Sequence, residues 1–459
     1  MNREKLAWIL SLILIALLAF QLPGSMAHRD DDYAFVKTLI DVHRQVSTNY
    51  VEPIDEDKLR SGSVNGMMGE LDPYSVYIPA AKTEEFDSLL EGSFKGVGIE
   101  LSQLEDGEIQ VVSPIPDSPA HKAGVLAGDI ILSVNGIDIK GKKIADVQTI
   151  IKGPLGSLVK LNVRHTDGKE VELSMTRQEI VMPTVMGYRR DASNAWDYWV
   201  SKSPRIAYLR ITQFTGDTFS ELKRAMDTIV DQGVQGLLLD LRFNPGGRLD
   251  QATKVVNLFV PDGVIVVTKG LHRTEETVRA DPKAALPKRF PIIVLVNEHS
   301  ASAAEIVAGS LMDNHRALIL GTRSFGKGSV QEVIPLEKDE GEVKLTVAYY
   351  YLPSGRLVHR KKGATDWGVE PQINVPVSEK VEAQIYEQQG AAEMFHKPLP
   401  LTPTTRSATQ PAAVVDVQLQ EAVSTMVGSI AKYGDNQLVP ATQPTTRMSS
   451  PATQPTTAP

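Results

Sequence analysis

Apolar and polar residues follow two alternating patterns in the second half of the chain. Short runs that are almost wholly apolar, typical of buried strands, occur at residues 236–241, 292–296 and 317–320. Residues 217–230 have helical spacing, and another helix is predicted to begin near Ser302. Alternating strands and helices over residues 206–351 predict an α/β core.

The first half of the chain has different patterns. Helical spacing over residues 33–50 predicts a helical N-terminal region at residues 28–90. Strand-like segments follow at residues 99–101, 109–115 and 128–139. They predict a mostly β module at residues 91–178, which leaves residues 179–380 for the α/β core.

The N-terminal segment predicts export. Arg3 and Lys5 precede an unbroken apolar run at residues 6–22, and residues 25–27 have the small-x-small pattern of a cleavage site. A signal peptide over residues 1–27 is predicted, with a retained anchor that tethers the protein to a membrane as the alternative. Either form places the protein outside the cytoplasm, in the periplasm or cell envelope.

The C-terminal segment, residues 381–459, is predicted to be a low-complexity and mostly disordered tail. The sequence Ala-Thr-Gln-Pro occurs at residues 408–411, 441–444 and 452–455. The Thr, Pro and Ser around these repeats cannot build a core. Residues 414–433 have helical spacing and predict one helix within the tail.

Composition mainly excludes partners and cofactors. The 459 residues include 48 basic and 56 acidic side chains, a formal net charge of −8, so nucleic acid is not an expected partner. Without cysteine the chain has neither disulfides nor a thiol nucleophile. Its nine histidines are scattered without metal-ligand spacing, so no metal or cofactor is expected.

Two predicted strand ends carry candidate chemistry. Ser302 stands at the start of a predicted helix, where the helix dipole and free N–H groups favour a developing oxyanion. The glycine-flanked Lys327 follows the next strand, and Gln331 lies four residues further on. These residue types supply a nucleophile, a candidate base and an amide that can orient the base. The small residues at 300–304 are equally typical of close helix–sheet packing, so the local pattern leaves both interpretations open.

Two other chemistries compete with this one. Residues 321–328 read G-x-x-x-x-G-K-G, which is close to a phosphate-binding P-loop. However, Gly328 stands where a P-loop needs a hydroxyl, and a strand rather than a helix is predicted to follow. The other alternative is a histidine base for the serine, supplied by His299 or by His315 with Asp313.

Five segments in register resemble the C-terminal processing (tail-specific) peptidases, a serine–lysine family with a built-in PDZ domain. The resemblance runs from about residue 34 to residue 375. Its segments are LDPYSVYI at 71–78, SFKGVGIEL at 93–101, LLLDLRFNPGGRLDQA at 237–252, SASAAE at 300–305 and GKGSVQ at 326–331. The resemblance implies an α/β, crotonase-like serine protease core with an inserted, mostly β PDZ domain and a helical N-terminal region.

The same resemblance implies catalytic roles. Ser302 matches the nucleophile, Lys327 the general base and Gln331 the residue that positions the lysine. Ser300 is the nearest rival serine, but the family nucleophile lies three residues before a glutamate, which is Glu305 here.

The glycine-rich loop at residues 244–247 follows a predicted strand, and its N–H groups can approach a ligand closely. By resemblance, the donors of the oxyanion hole are Gly246 or Gly247, together with Ala303.

A lysine base makes a physical demand on its surroundings. The unperturbed pKa of lysine is near 10.4, so a base that works near neutral pH needs a pKa about three pH units lower, equivalent to about 4 kcal/mol. The segments on either side of Lys327 are mostly apolar, and no acid lies nearer in sequence than Glu332. Burial without an acidic neighbour is therefore the expected means of lowering this pKa.

Residues 93–176 resemble a PDZ domain in the permuted order that bacterial proteases use. PDZ domains add an extended peptide to the edge of a sheet and hold its terminal carboxylate on the N–H groups of a glycine loop. By resemblance, the residues of that loop are Lys95, Gly96, Val97, Gly98 and Ile99.

Together these features predict an exported serine endopeptidase that cleaves proteins near their C-termini without a cofactor. The expected partners are protein or peptide substrates with free C-termini. An adaptor protein that delivers them is left open, and so is the oligomeric state. The alternative from another class is a non-catalytic PDZ scaffold that binds protein C-termini.

Overall fold

The computed structural model describes residues 36–393, except 105, 192, 338 and 339, and residues 414–434. The predicted signal segment and the Ala-Thr-Gln-Pro repeats lie outside the described residues. The N-terminal region is helical, as predicted. Its elements are helix α1 (residues 36–49), helix α2 (Glu56–Gly69), strand β1 (Val76–Ile78) and helix α3 (Ala80–Glu91). Asp55 caps α2 by accepting a hydrogen bond from the N–H of Lys58.

A mostly β module follows. Its elements are β2 (Ser93–Gly96), β3 (Ile99–Gln103), β4 (Ile109–Pro114), α4 (Pro119–Ala123), β5 (Ile130–Val134), β6 (Ile137–Asp138), α5 (Ile144–Ile151), β7 (Leu158–Arg164), β8 (Glu170–Thr176) and β9 (Gln178–Val181). The antiparallel sheet has the order β3–β4–β5–β7–β8, so β3 lies at an edge. Strand β2 pairs with β9, so β9 belongs to this module. The predicted end of the module, residue 178, is only the first residue of β9.

The larger part of the chain forms a layered α/β core. Its first elements are β10 (Val185–Met186), β11 (Arg189–Arg190), β12 (Trp196–Asp197), β13 (Trp199–Lys202), β14 (Arg205–Ile211), α6 (Thr218–Asp231), β15 (Gly236–Asp240) and α7 (Leu249–Phe259). The next are β16 (Val264–Gly270), β17 (Arg273–Arg279), β18 (Ile292–Val296), α8 (Ala303–Asp313), β19 (Leu318–Gly321), β20 (Ser329–Pro335), β21 (Glu342–Tyr351) and β22 (Ile373–Asn374). The last are helices α9 (Glu379–Glu393) and α10 (Val417–Tyr433).

The central sheet has the strand order β10–β14–β15–β18–β19–β22 and is parallel from β14 to β22. Side chains alternate between its faces. Leu237 and Leu239 join the core formed with α6, α7 and α8, whereas Leu238 packs on the other face with Ala422 and Met426 of α10. The hairpins β16–β17 and β20–β21 form a second, antiparallel sheet. The predicted α/β core is therefore confirmed.

Helices α9 and α10 are the described parts of the segment predicted to be a mostly disordered tail. Helix α9 crosses the proposed boundary at residue 381, and α10 packs against the central sheet with Ala422 and Met426 fully buried. A parallel sheet needs cover on both faces, and α10 supplies it on the face opposite α6 to α8. The helix predicted over residues 414–433 is present. No helix in the described part of the chain is long and apolar enough to cross a membrane.

Candidate active site

Ser302 lies in the tight connection between β18 and α8. It is the N-cap residue of α8 and is half-buried, with φ 55° and ψ −115°. A non-glycine residue in this sparsely populated region is strained, which is common at functional sites. The rival Ser300 is fully buried: its hydroxyl donates to the carbonyl of Leu241 and accepts from the N–H of Asn297. Ser300 therefore holds the turn together, while Ser302 stays accessible.

The glycine-rich loop after β15 packs against the Ser302 turn. A Cβ atom added to Gly246 would lie 2.7 Å from the Cβ of Ser302 and 2.7 Å from the carbonyl oxygen of Ala301. Gly246 also has φ 100°, so a side chain is excluded both by space and by backbone conformation. The buried Asn244 fixes this arrangement, because its carbonyl accepts from the N–H of Ala301.

The three candidate N–H donors of the oxyanion hole differ in whether they already donate a hydrogen bond within the protein. The N–H of Gly246 donates to Oδ1 of Asn244 and is therefore already engaged. Gly247 is paired with Phe214 in a parallel β-bridge. The hydrogen bonds of this bridge involve the residues on either side of Gly247: the carbonyl of Gly246 accepts from the N–H of Phe214, and the N–H of Arg248 donates to the carbonyl of Phe214. The N–H of Gly247 itself therefore points away from Phe214. Ala303 is the first residue of α8, where an N–H has no preceding helical carbonyl to bond.

Lys327 lies in the loop between β19 and β20 and is half-buried. Strand β20 follows it at once, so the helix that a P-loop requires is absent from this described segment. Gln331 lies on β20, and its amide nitrogen donates to the hydroxyls of Ser329 and Thr346.

Glu305 joins the Ser302 turn to the Lys327 loop, a role that the sequence analysis missed. Its Oε2 atom accepts from the N–H of Ser302 and from the N–H of Lys327, both at 2.8 Å. Its Oε1 atom accepts from the hydroxyl of Ser324 at 2.6 Å and the N–H of Gly326 at 2.7 Å. The main-chain N–H groups of Ser302 and Lys327 thus donate to the same oxygen atom, which holds the two loops next to each other. The pattern Ser-x-x-Glu at residues 302–305, typical of a capping box, was the signal available in the sequence.

The position of Glu305 corrects one expectation. No acid near Lys327 was expected, yet this buried carboxyl group contacts the main chain of that lysine. Burial raises the pKa of Glu305 above its usual range, and its hydrogen bonds oppose that effect. The four donors occupy the acceptor sites of its two carboxylate oxygen atoms.

Tyr350 is a second link between the two loops that the sequence analysis missed. Its hydroxyl lies 2.6 Å from the carbonyl oxygen of Lys327 and 3.0 Å from that of Ser302. Burial, followed by the nearby Glu305 charge, raises the pKa of Tyr350 well above its usual value, so the hydroxyl keeps its proton. No short-range sequence pattern marks this residue, because β21 is brought to the site only by sheet formation.

Both histidines considered as alternative bases are exposed, and His315 lies at the opposite end of α8 from Ser302. His315 is exposed beyond the far end of α8, about 16 Å along the helix from Ser302. Asp313, at the same end, accepts from the N–H of Ser354. His299 is exposed and stacks on Phe243, with ring centroids 5.7 Å apart.

One group of potential metal ligands occurs in the described part of the chain. Atoms of Glu298, His299 and Glu382 lie within 4.8 Å of one another. Spacing in the sequence could not reveal this group, because Glu382 comes from α9. Two of the three residues are exposed, and Glu382 already accepts a hydrogen bond from Asn297.

The predicted peptide-binding residues divide into two sets. Lys95 and Gly96 belong to β2 and pair with β9, and the Lys95 ammonium forms an ion pair with Glu84. The carbonyl of Val97 accepts from the N–H of Ala120, and that of Gly98 accepts from Ile115. Because C=O and the next N–H of a trans peptide point in opposite directions, the N–H of Gly98 points away from α4 and the N–H of Ile99 points away from Ile115.

Comparison with known proteins agrees with this organisation. Three family models match: peptidase family S41 over residues 205–375, a PDZ domain over residues 110–165, and the activating protease CtpB N-terminal domain over residues 23–83. The S41 match contains both loops that Glu305 joins. A photosystem II D1 C-terminal processing protease of known structure is 27% identical, with a TM-score of 0.42, and the match covers 73% of this chain and 86% of that one.

Curated relatives extend the match to most of the chain. The carboxy-terminal-processing protease of Bartonella bacilliformis is 41% identical over 348 residues, which are 74% of this chain and 75% of the relative. The carboxy-terminal processing protease CtpA of Bacillus subtilis is 36% identical over 72% of this chain and 67% of the relative. The fold and these matches define a peptidase that carries a PDZ domain. The chain belongs to peptidase family S41, among the carboxy-terminal processing proteases, and the predicted family and fold class are confirmed.

The Glu305 link leads to a prediction. Glu305→Gln places an amide NH₂ group against two of the four donors, so at least two buried hydrogen bonds are lost. We expect the free energy of unfolding to fall by about 2–4 kcal/mol and kcat to fall about 100-fold, since the two loops separate. Denaturant titration and peptidase kinetics measure these effects. The matched control is Glu332→Gln, at an exposed position of β20, which should change neither. A stable and fully active Glu305→Gln enzyme would show that the link is dispensable.

Proposed function

We propose that this protein is an exported serine endopeptidase that cleaves proteins near their C-termini by a serine–lysine mechanism. The observation that carries the proposal is the Glu305 carboxylate, which accepts from the backbone N–H groups of both Ser302 and Lys327 through one oxygen atom. A nucleophile and a base must be held side by side to act together. Cleavage of a tailed reporter protein, with the products identified by mass spectrometry, tests the proposal directly.

The reaction follows from the proposed roles. The neutral amine of Lys327 takes the proton of the Ser302 hydroxyl as its oxygen attacks the substrate carbonyl carbon. The lysine ammonium then donates that proton to the leaving amine, and the C–N bond breaks to give an acyl-enzyme. Water, deprotonated by the same lysine, attacks the ester; the bond to the serine oxygen breaks, the lysine returns the proton to that oxygen, and the new C-terminus is released. Gln331 would position the lysine through its amide oxygen, since its amide nitrogen bonds two hydroxyls.

Gly247 and Ala303 are the proposed donors of the oxyanion hole. The engaged N–H of Gly246 supports assigning this role to Gly247 rather than to Gly246. Gly246 then serves a different purpose, because its missing side chain lets the loop approach Ser302 closely. A developing negative charge near the start of α8 is also favoured by the helix dipole.

The PDZ domain is proposed to recognise the substrate tail. Strand β3 lies at the edge of its sheet, where an extended peptide can add as a further strand. At the start of β3, the adjacent N–H groups of Gly98 and Ile99 form a place for a terminal carboxylate. The proposed carboxylate loop therefore narrows to residues 97–99, because Lys95 and Gly96 are already paired within β2.

Tail recognition predicts a preference for free C-termini. A peptide with an amidated C-terminus should be cleaved about 10-fold to 100-fold less efficiently than its free-acid twin, because one charge-assisted contact contributes about 1.5–3 kcal/mol. Gly98→Asp should remove this preference, since its carboxylate repels the anion and its Cβ would lie 2.3 Å from Ser118. Comparing kcat/KM for the two peptides measures the effect.

The matched control for Gly98→Asp is Gly107→Asp in the same domain. Gly107 has a similar positive φ, but a Cβ atom there has open space and lies outside the carboxylate loop. This control should keep the preference for the free acid. Equal cleavage of both peptides by the parent enzyme would leave the PDZ domain as a binder of internal segments.

Export is proposed from the apolar N-terminal run at residues 6–22. Cell fractionation and N-terminal sequencing of the mature protein test it. A mature chain that begins near residue 28 would indicate a cleaved signal peptide, and an intact N-terminus in the membrane fraction would indicate an anchor. Recovery of the intact chain only from the cytoplasm would contradict export.

A further inference from the structure

Arg242 stands at the base of the glycine-rich loop and is buried, with 1% of its surface exposed. All five of its N–H donors have acceptors. The Nε hydrogen and one Nη2 hydrogen donate to the carboxylate of Asp240. The other Nη2 hydrogen and one Nη1 hydrogen donate to the carboxylate of Asp416, and the second Nη1 hydrogen donates to Oε1 of Gln418. The contact with Asp416 is bidentate, at 2.8 and 3.0 Å, which is the strongest geometry an arginine–carboxylate pair can adopt.

Two of these acceptors come from the start of α10, far along the chain. Asp416 is the N-cap residue of that helix and also accepts from the N–H of Leu419. Gln418 is buried and donates to the carbonyl of Val375. Arg242 and Asp416 are 174 residues apart, so α10 must pack on the sheet before this contact can form. The helix therefore reaches the loop through a rigid, saturated group of hydrogen bonds.

The loop connects Arg242 to Ser302 through a few fixed contacts. The N–H of Phe243 donates to Oδ1 of Asn297, and the amide of Asn244 donates to the carbonyl of Ile211. Gly246 and Gly247 come next in the chain. A shift of the guanidinium would move the first residue of this rigid loop, and the glycines at its other end would move with it.

We propose that Asp416 is a positioning residue for the active site: by holding Arg242, it fixes the loop that carries the proposed oxyanion donor Gly247. The inference rests on the proposed function. Asp416 itself touches no reacting atom. Its effect should therefore fall on transition-state stabilisation and leave ground-state binding of the peptide unchanged.

The test compares Asp416→Asn with Glu393→Gln. Glu393 forms a buried ion pair with Arg210 on β14, within the same region but outside the loop, so its loss should cost stability without moving the glycines. At a temperature where both are folded, Asp416→Asn should lower kcat by about 10-fold to 100-fold with KM within about twofold. Glu393→Gln should keep both constants within about twofold of the parent.

A second readout separates positioning from general loss of structure. A peptide aldehyde forms a tetrahedral adduct with the serine, and its oxygen occupies the oxyanion hole. Asp416→Asn should weaken binding of the aldehyde by the same factor by which it lowers kcat. Binding of an unmodified substrate peptide is measured in inactive enzyme, where Ser302→Ala and the double variant Ser302→Ala/Asp416→Asn should have equal affinity. If Asp416→Asn does not fold, Asp416→Glu keeps the charge on a longer side chain and should show the same kcat and aldehyde losses.

Each outcome has one meaning. A folded Asp416→Asn or Asp416→Glu enzyme with kcat within threefold of the parent would overturn the inference. So would equal kcat losses in Asp416→Asn and Glu393→Gln, because that result would reflect stability alone. Failure of the proposed function is seen separately in the same assay: the parent would not cleave the peptide, or Ser302→Ala would cleave it as well as the parent.

Discussion

Replacing Ser302 by alanine is expected to abolish peptide-bond cleavage, with kcat at least about 10⁴-fold lower than in the parent enzyme. In the proposed mechanism, the Ser302 hydroxyl at the strained start of α8 is the group that attacks the carbonyl carbon. The nearby Glu305 carboxylate is buried and already accepts four hydrogen bonds. Folding should be retained, because the N–H and C=O groups of Ser302 keep their contacts with Glu305 and Tyr350 in the variant.

Ser300→Ala is the matched control for this experiment. It removes a buried hydroxyl that bonds Leu241 and Asn297, so it should cost about 1–3 kcal/mol of stability and keep activity at temperatures where the enzyme is folded. Cleavage of casein and of a tailed reporter, together with binding of a tail peptide, would be measured for both variants. Turnover by Ser302→Ala within tenfold of the parent would move the nucleophile elsewhere.

The sequence predicts the core because its strands are buried on both faces. Such strands read as continuous apolar runs, and the run at residues 292–296 coincides with β18 as observed. The predicted helices over residues 217–230 and from Ser302 onward also match α6 and α8, whose periodicity and small residues are local properties. The family motifs added the positions of the candidate catalytic residues, which periodicity alone leaves open.

The contacts that organise the site are not local, and for this reason sequence patterns did not reveal them. Glu305 bonds backbone N–H groups 21 and 22 residues away, and any residue type could offer such donors. Tyr350 reaches the same loops from β21. Helix α10 followed from its spacing, but its place on the sheet did not, because the open face of the sheet becomes apparent only when the strand order is known.

Lys327→Ala is expected to be as inactive as Ser302→Ala. The double variant should be no less active than either single variant, because removing one of two residues that act as a unit already removes nearly all of the activity.

In the parent, kcat/KM should rise with pH as the Lys327 ammonium loses its proton, since only the neutral amine can accept a proton from serine. Initial rates across a pH series measure this. His299→Ala and His315→Ala serve as controls and should keep the activity and pH profile of the parent; loss of activity in either, with an active Lys327→Ala, would favour a histidine base.

Lys327→Arg separates the charge of the lysine from its ability to take a proton. Arginine keeps a positive charge at all accessible pH values and cannot accept a proton from the serine hydroxyl. If the residue acted only by attracting a negative charge, this variant would retain substantial activity. We expect it to be as inactive as Lys327→Ala at every pH tested, while thermal unfolding and tail-peptide binding show that the fold is intact. Activity within tenfold of the parent would rule out Lys327 as the general base and leave it an electrostatic role.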